Sequence, residues 1–508
     1  VAKRLSLFLR YVVEQTLKGQ SGRIKQYTIA VEALGYGADF DPQTDSIIRI
    51  QGRRLRRALD QYYFGQGKED PVRIEIPKGG YVPIFLDNYR PTGASGAPEQ
   101  PAPVSVKPPE FTDPTIAVVL FENLNEKDEN SFFARGLTAE ILVSLTRFSG
   151  LSVLGPLAQA EGKPIDYYKI SHEYGSRFVL QGWIRCYGSK IRITTDLTDA
   201  STGGNLWGRT FEYDLEKTSL FEIEDTVAGQ VAGIIADGVG IIFKKLQSET
   251  YPEHIKLSDV TLAVLKYNNA WMTLAPWDWE SAIVALNDAL ATQPENALLL
   301  AMLANSYYAD VLFEMNLVPD SSSKMEGLAH EAVSLDPDLQ LACYNLVVIN
   351  AFFGRPQKCI AEAKKVVAMN PNHPRVVAGS AVAVTTVGEY ELGWELIEKA
   401  KRLNPHYPSW YHFVNYLVCF RNAQYEEAWA EAQKIHIKGT FWHPLFRTSI
   451  LGKLGRDKEA KVYIEELLQI KPEFPKRPKE YIKLLFVLDE HVEMIWDGLY
   501  KAGMGELA

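Results

Sequence analysis

Residues 45–64, DSIIRIQGRRLRRALDQYYF, followed after a short gap by residues 72–85, VRIEIPKGGYVPIF, decide how the N-terminal part of this chain folds. At 100° per residue, Ile48, Leu55, Ala58, Leu59 and Tyr62 fall on one side of a helix, and Arg49, Arg53, Arg56 and Arg57 fall on the other. The apolar stripe predicts packing on a core, with the guanidinium groups pointing outward together. Asp45 or Ser46 can cap the start, and Gly65 and Gly67 stop the helix near its last turn. In the second stretch Val72, Ile74 and Ile76 alternate with Arg73 and Glu75. Lys78-Gly79-Gly80 makes a basic tip, and Tyr81 opens a return strand toward Ile84 and Phe85.

These residues resemble the recognition helix and wing of the OmpR/PhoB-type winged-helix family. Arg54, Leu55, Arg56 and Arg57 match the family's helix core and Gly80-Tyr81 its wing end, whereas Lys78 stands where the first wing glycine is usual. The resemblance implies a helix that enters the major groove of double-stranded DNA and a wing that lies on phosphate or in the minor groove. On that pattern Arg49, Arg53 and Arg56 are candidates for base or phosphate contacts, and Arg57, Arg73 and Lys78 for phosphate anchors. Arg54 and Tyr81 complete the DNA-binding set. A solvated charged face is the competing reading of the same arginines. Charge distribution favours the first: residues 1–90 hold fifteen Lys and Arg against ten Asp and Glu, on a chain whose net charge is −9.

Working outward, residues 88–114 are rich in Pro, Gly, Ala and Ser without periodicity, which reads as a flexible linker. From Thr115 the pattern alternates buried strands and amphipathic helices: TIAVVLF, SFFARGLTAEILVSLTRF, LSVLG, IDYYKISHEYG, RFVLQGWIRCYG, then KIRITTDLTDASTGGNLWGRTFEYD and a helix over residues 220–238. This order resembles the TolB amino-terminal-like (FlgO-like) domain, which implies a non-catalytic α/β module. Phe121, Glu122 and Asn123 with Gly136, Leu137 and Thr138 mark its turn and helix start. They serve either as a ligand edge or as ordinary turn and cap residues.

The C-terminal half repeats. Pro337, Pro371 and Pro405 are 34 residues apart, Pro472 lies 67 further on, and Gly354, Gly388 and Gly455 stand 17 residues before three of these prolines. Thirty-four is the tetratricopeptide period. The 43 residues from Pro294 to Pro337 predict an insertion around Asn316–Ser323. Ala282, Ala289, Ala400 and Ala460 occupy the small positions where paired helices approach. Five or six such pairs predict a curved solenoid whose concave groove holds a protein or peptide. Trp271, Trp277, Trp279, Trp394, Trp410, Trp429 and Trp442 read as repeat core rather than a ligand box.

The expected fold class is therefore multidomain, α+β and α: a winged helix-turn-helix over residues 1–87, the linker, a small α/β sheet domain over 115–248, an α-solenoid of tetratricopeptide repeats over 258–475, and capping helices over 476–508. Cys186, Cys343, Cys359 and Cys419 show neither CxxC pairing nor Cys/His ligand spacing, so no disulfide framework, metal or cofactor is expected. No run approaches the roughly 18 apolar residues of a membrane span, and a cytoplasmic location without membrane partners is expected. The chain opens on Val1 just before a helix, so residues are expected upstream of it. No heptad seam is present, and homodimerisation stays open.

GxxxxGK[ST], HExxH and GxSxG are missing, and His172 reads as a polar surface or core residue. The layout of α/β module plus repeats also resembles the regulatory part of class III adenylate cyclase relatives, but the assigned segments leave no room for a catalytic domain. The expectation is a non-enzymatic one-component transcriptional regulator that senses protein or small-molecule partners. The alternative is a signalling scaffold that does not bind DNA, or a regulatory relative of those cyclases without the catalytic domain.

Overall fold

In the computed structural model the chain divides into two compact units, Val1–Ser105 and Val106–Ala508. The structure describes residues 2–37, 48, 51–52, 55–56, 58–59, 62, 70–77, 81–87, 113–125, 131–158, 165–249, 257–437 and 439–506. The predicted linker therefore lies outside the described residues except for Asp113 and Pro114.

In the first unit the helix Ala2–Leu17 is amphipathic, and Phe8 and Val12 are its fully buried contribution. They pack with Ile24, Ile29, Ala30, Ile48, Leu55, Leu59 and Ile76 in a core of their own. Ile48, Gln51, Gly52, Leu55, Arg56, Ala58, Leu59 and Tyr62 are helical, as the periodicity predicts. Tyr62 departs from the predicted stripe. It is 44% exposed, because its hydroxyl reaches the edge of the unit to donate to Asp70 Oδ2 at 2.9 Å. Strand β1 (Val72–Glu75) pairs antiparallel with β2 (Ile84–Asp87), Val72 facing Asp87 and Glu75 facing Ile84. The return strand thus begins three residues later than Tyr81.

The second unit opens with a mixed sheet. Strands β3 (Thr115–Val119), β5 (Ser152–Leu157) and β6 (Phe178–Tyr187) are parallel, while β7 (Lys190–Asp199) and β8 (Gly204–Asp214) continue antiparallel in the order β5-β3-β6-β7-β8. The two-residue strand β4 (Glu122–Asn123) also pairs with β6. Because side chains alternate along a strand, Ile116, Val118, Phe178 and Leu180 point to one face, where the helices Ser131–Thr146 and Leu220–Ala236 cover them. Ala117, Val119 and Val179 point to the other, under Ile170 of the helix Tyr167–Glu173. His172 lies on that helix, half-buried and stacked on Tyr168 at 3.9 Å.

Helix pairs follow: Asp259–Thr273 with Pro276–Thr292, Ala297–Leu312 with Ser321–Leu335, Gln340–Phe352 with Pro356–Met369, Pro374–Thr386 with Tyr390–Leu403, His412–Arg421 with Tyr425–Ala432, and Trp442–Lys453 with Asp457–Ile470. The helix Asp489–Lys501 packs on the last pair. Each predicted punctuation mark falls where its chemistry is needed. Gly354, Gly388 and Gly455 turn between paired helices at φ of 63°, 99° and 68°, and Pro337, Pro371, Pro405 and Pro472 stand two residues past a helix end. Ala282, Ala289, Ala400 and Ala460 are fully buried between helices. The predicted insertion is a loop after Leu312, fastened by the buried Asp310, which accepts from Leu317 N at 2.9 Å and Ser321 Oγ at 2.5 Å.

One expectation is corrected by composition alone. Residues Leu220–Gln247 are long and apolar enough to cross a membrane by length and mean hydropathy. In this fold 78% of the most apolar window is buried inside the protein, where Ile223, Val227, Val231 and Ile235 pack against the sheet layer.

Candidate functional site

Three places concentrate chemistry. The first is the seam between the arginine helix and the hairpin. Arg56 Nε donates to Ile76 O at 2.9 Å, and its guanidinium stands 6.0 Å from the centre of the Tyr81 ring. The Tyr81 ring is 5.9 Å from that of Phe8 and lies directly over Gly52, where a Cβ would come within 2.9 Å of its Cε1. Glycine at 52 is therefore what lets the base of the hairpin lie on the helix. Arg56 and Tyr81, both predicted as DNA contacts, are half-buried and tie the two elements together. Arg73 sits in β1 opposite Leu86, with its side chain outside the described set. Arg49, Arg53, Arg54, Arg57 and Lys78 lie outside the described residues.

The second place is a buried polar junction between the sheet layer and the helix pairs, both of which belong to one compact unit. Gly229 and Gly233 on the helix Leu220–Ala236 let the turn Asn372–Pro374 approach closely, Gly233 leaving only 3.1 Å from a notional Cβ to Asn372 O. Just past that helix the fully buried Asp237 accepts from Val239 N at 2.9 Å and Arg375 N at 3.3 Å, and His373 Nδ1 is 3.5 Å away. Burial pushes this carboxyl's pKa up. The facing His373, the charge of Arg375 and the Val239 N–H outweigh that and hold it below its ordinary value. The Arg375 guanidinium stacks 5.2 Å above the Tyr267 ring. The reading of the sequence missed this cluster. Its one signal was Asp237 itself, an acidic residue closing an apolar run, IIADGVG.

The third place is the inner face of the helix pairs. The first helices of the pairs line it, and the array curves far enough for its ends to touch. Trp271 of the first pair lies 6.3 Å from Trp410, which precedes the fifth, and Trp442 Nε1 of the sixth donates to Leu312 O of the second at 2.8 Å. Glu314 in the insertion pairs with Lys471 and, at 3.3 Å, with Arg477. The expected open groove is thereby narrowed to a cavity of about 90 Å³. Trp271, Trp410 and Trp442 line it while packing in or against the core of the repeats, and Trp279 and Trp429 are buried between helices as expected. Trp277 and Trp394 are partly exposed.

Comparison with known proteins adds one relative. No family model matches the chain. A protein of Rhizobium meliloti (strain 1021) named "Putative adenylate cyclase 3" is 25% identical over 336 residues, covering 64% of this chain and 55% of that protein. The chain thus spans about half the length of the curated relative it matches. An alignment of 336 residues is over three times what the first unit holds, so it runs mainly through the second. Among solved structures, TolB from Acinetobacter baumannii aligns with 24% of this chain and 27% of its own at 16% identity and a TM-score of 0.17. Lipoprotein GNA1162 from Neisseria meningitidis aligns with 23% of this chain and 96% of its own at 20% identity and a TM-score of 0.19. Scores this low decide nothing about the fold.

Proposed function

We propose that this chain is a non-catalytic signalling protein in which residues 106–508 are the sensing unit and the N-terminal unit is a winged-helix output head that binds duplex DNA. The observation that carries the signalling part is the 336-residue match to a protein named as an adenylate cyclase, running mainly through the sheet and helix pairs. Within residues 113–506 those elements follow one another without an inserted stretch of the roughly 150–200 residues a catalytic domain needs. The TolB-like and tetratricopeptide readings fit this role, since both describe modules that bind rather than react. The output reading rests on the clamp formed by Gly52, Arg56, Ile76 and Tyr81, which fixes a hairpin against an arginine-bearing helix. A scaffold that does not bind DNA is the second reading. It is favoured by the internal use of Arg56 and Tyr81, two of the eight predicted contacts.

The test is retention of random-sequence duplex by the full chain at two salt concentrations, with sequencing of what is held. If some five cationic side chains displace counterions, log K falls with log salt at a slope of roughly −4 to −5. No retention by folded protein at either salt would establish the scaffold. Production of cyclic AMP from ATP by the purified chain would overturn the non-catalytic reading.

A further inference from the structure

We propose that the cavity inside the helix pairs is a binding site for a neutral, largely apolar small molecule of about one ring in size. The proposal rests on the reading of the second unit as a sensor and names what it senses. Trp271, Tyr308, Tyr344, Phe352, Trp410 and Trp442 supply much of the wall, and no charged side chain among the described residues lines it. An anion would leave water for electron-rich aromatic faces with no counter-charge, at a cost such a wall does not return, and a cation would recover only the cation–π part of its lost hydration, with no carboxylate among the lining residues to complete it. The wall is also short of donors. Trp271 Nε1 is spent on Asn305 Oδ1 at 3.0 Å, Trp442 Nε1 on Leu312 O, and Thr386 Oγ1 on Ala383 O at 2.8 Å. What stays polar is the indole N–H of Trp410 and the pair of phenols, Tyr308 and Tyr344, and burial raises the pKa of both phenols, so each remains a neutral O–H. The Tyr344 hydroxyl is seated against Gly379, where any Cβ would collide with it.

Size and enclosure set the rest. About 90 Å³ is the scale of a single ring, below the roughly 150 Å³ of an apolar cavity known to hold benzene. The walls are braced at two edges. Asn305, which holds Trp271, also accepts from Tyr267 Oη at 2.7 Å and donates to Asn345 Oδ1 at 2.9 Å, so three helix pairs fix one edge. Trp442 and the Glu314 pair with Lys471 fix the opposite edge. A cavity walled by residues from every pair, rather than by two neighbours, is placed to register a ligand across the whole array.

The test titrates the full chain with toluene and, separately, with benzoate and an alkylammonium ion, following tryptophan fluorescence and calorimetry. Saturable one-to-one binding of toluene, at least about tenfold tighter than either charged probe, is expected. It should be lost in Ala383→Leu, which fills the cavity, and kept in Trp394→Phe, which lies outside it, both variants melting like the parent. Ala383→Leu can misfold, so Val382→Phe is made beside it. Absence of saturable toluene binding by folded parent protein, or undiminished binding in both filled variants, overturns the site. Equal binding of benzoate or the alkylammonium ion overturns the ligand class. Toluene binding that leaves duplex retention unchanged upholds the site and removes the sensor reading alone.

Discussion

Replacing Asp237 with alanine strikes the junction on which the sheet layer and the helix pairs depend. The carboxylate is fully buried and accepts two main-chain hydrogen bonds, from Val239 and from Arg375, at 2.9 and 3.3 Å. A hydrogen bond to a charged acceptor contributes about 1.5–3 kcal/mol. Deleting the carboxylate also leaves the positive charge of Arg375 without its nearby opposite, and breaking buried charge pairing in this one-sided way costs about 3–5 kcal/mol. The two estimates describe overlapping terms, so about 3–5 kcal/mol is the expected loss. For a unit this large that is roughly 2 °C of melting temperature per kcal/mol, or about 6–10 °C in all. The carboxyl pKa is held low in the folded state. Its contribution is therefore present above the unfolded value near 4 and lost as pH falls through the folded one. The deficit of Asp237→Ala should be full at neutral pH and shrink in acid. Scanning calorimetry across pH gives the global number, and amide exchange at Val239 and Arg375 gives the local one. A variant that melts within about 1 °C of the parent, with both amides still protected, would refute the claim that this carboxylate joins the two layers.

Three further outcomes follow from particular contacts. Arg177→Ala should lose about 3–5 kcal/mol at neutral pH, because Arg177 Nη2 bridges Asp199 at 3.0 Å and Glu249 at 2.6 Å. Both carboxyls are held low, so the parent's advantage should fade on acidification below about pH 4, and a pH-independent difference in melting would contradict this. Gly52→Ala would raise helix propensity by about 1 kcal/mol were the residue free. Since a Cβ comes 2.9 Å from Tyr81, the expected sign is reversed: the hairpin shifts, duplex retention falls and the N-terminal unit melts lower, whereas a stabilised unit would show the helix and hairpin are not in contact. Trp442→Phe removes the indole donor to Leu312 O and should cost about 1 kcal/mol with faster exchange near Leu312, while unchanged exchange there would mean the ends of the array are held by other contacts.

Much of this protein is written locally. The 3.6-residue stripe over Ile48, Leu55 and Leu59, the alternation of β3 and β6, and the prolines and glycines at fixed spacing each act through backbone sterics and short-range packing, which neighbouring residues specify by themselves. Helix pairs, sheet strands and the buried small residues Ala282, Ala289, Ala400 and Ala460 were legible for that reason. Tyr62 was not, because its hydroxyl bonds Asp70, beyond the end of the helical pattern, which helix phase does not specify.

The functional geometry depends on residues far apart in the chain, and only tertiary structure brings them together. Asp237 meets Arg375 across 138 residues, and Trp442 meets Leu312 across 130. Periodicity gave the array its helices and a curved course but not how far it closes, which the insertion loop, the Glu314 to Lys471 pair and the docking of Gly229 and Gly233 on Asn372–Pro374 all shape. The sequence therefore determined the elements and their order, because local sterics and burial pattern suffice for those. The tertiary structure decided that the array closes, that three of its tryptophans face a cavity, and that Arg56 and Tyr81 hold the hairpin to the helix, because each is a contact between segments that no local pattern links.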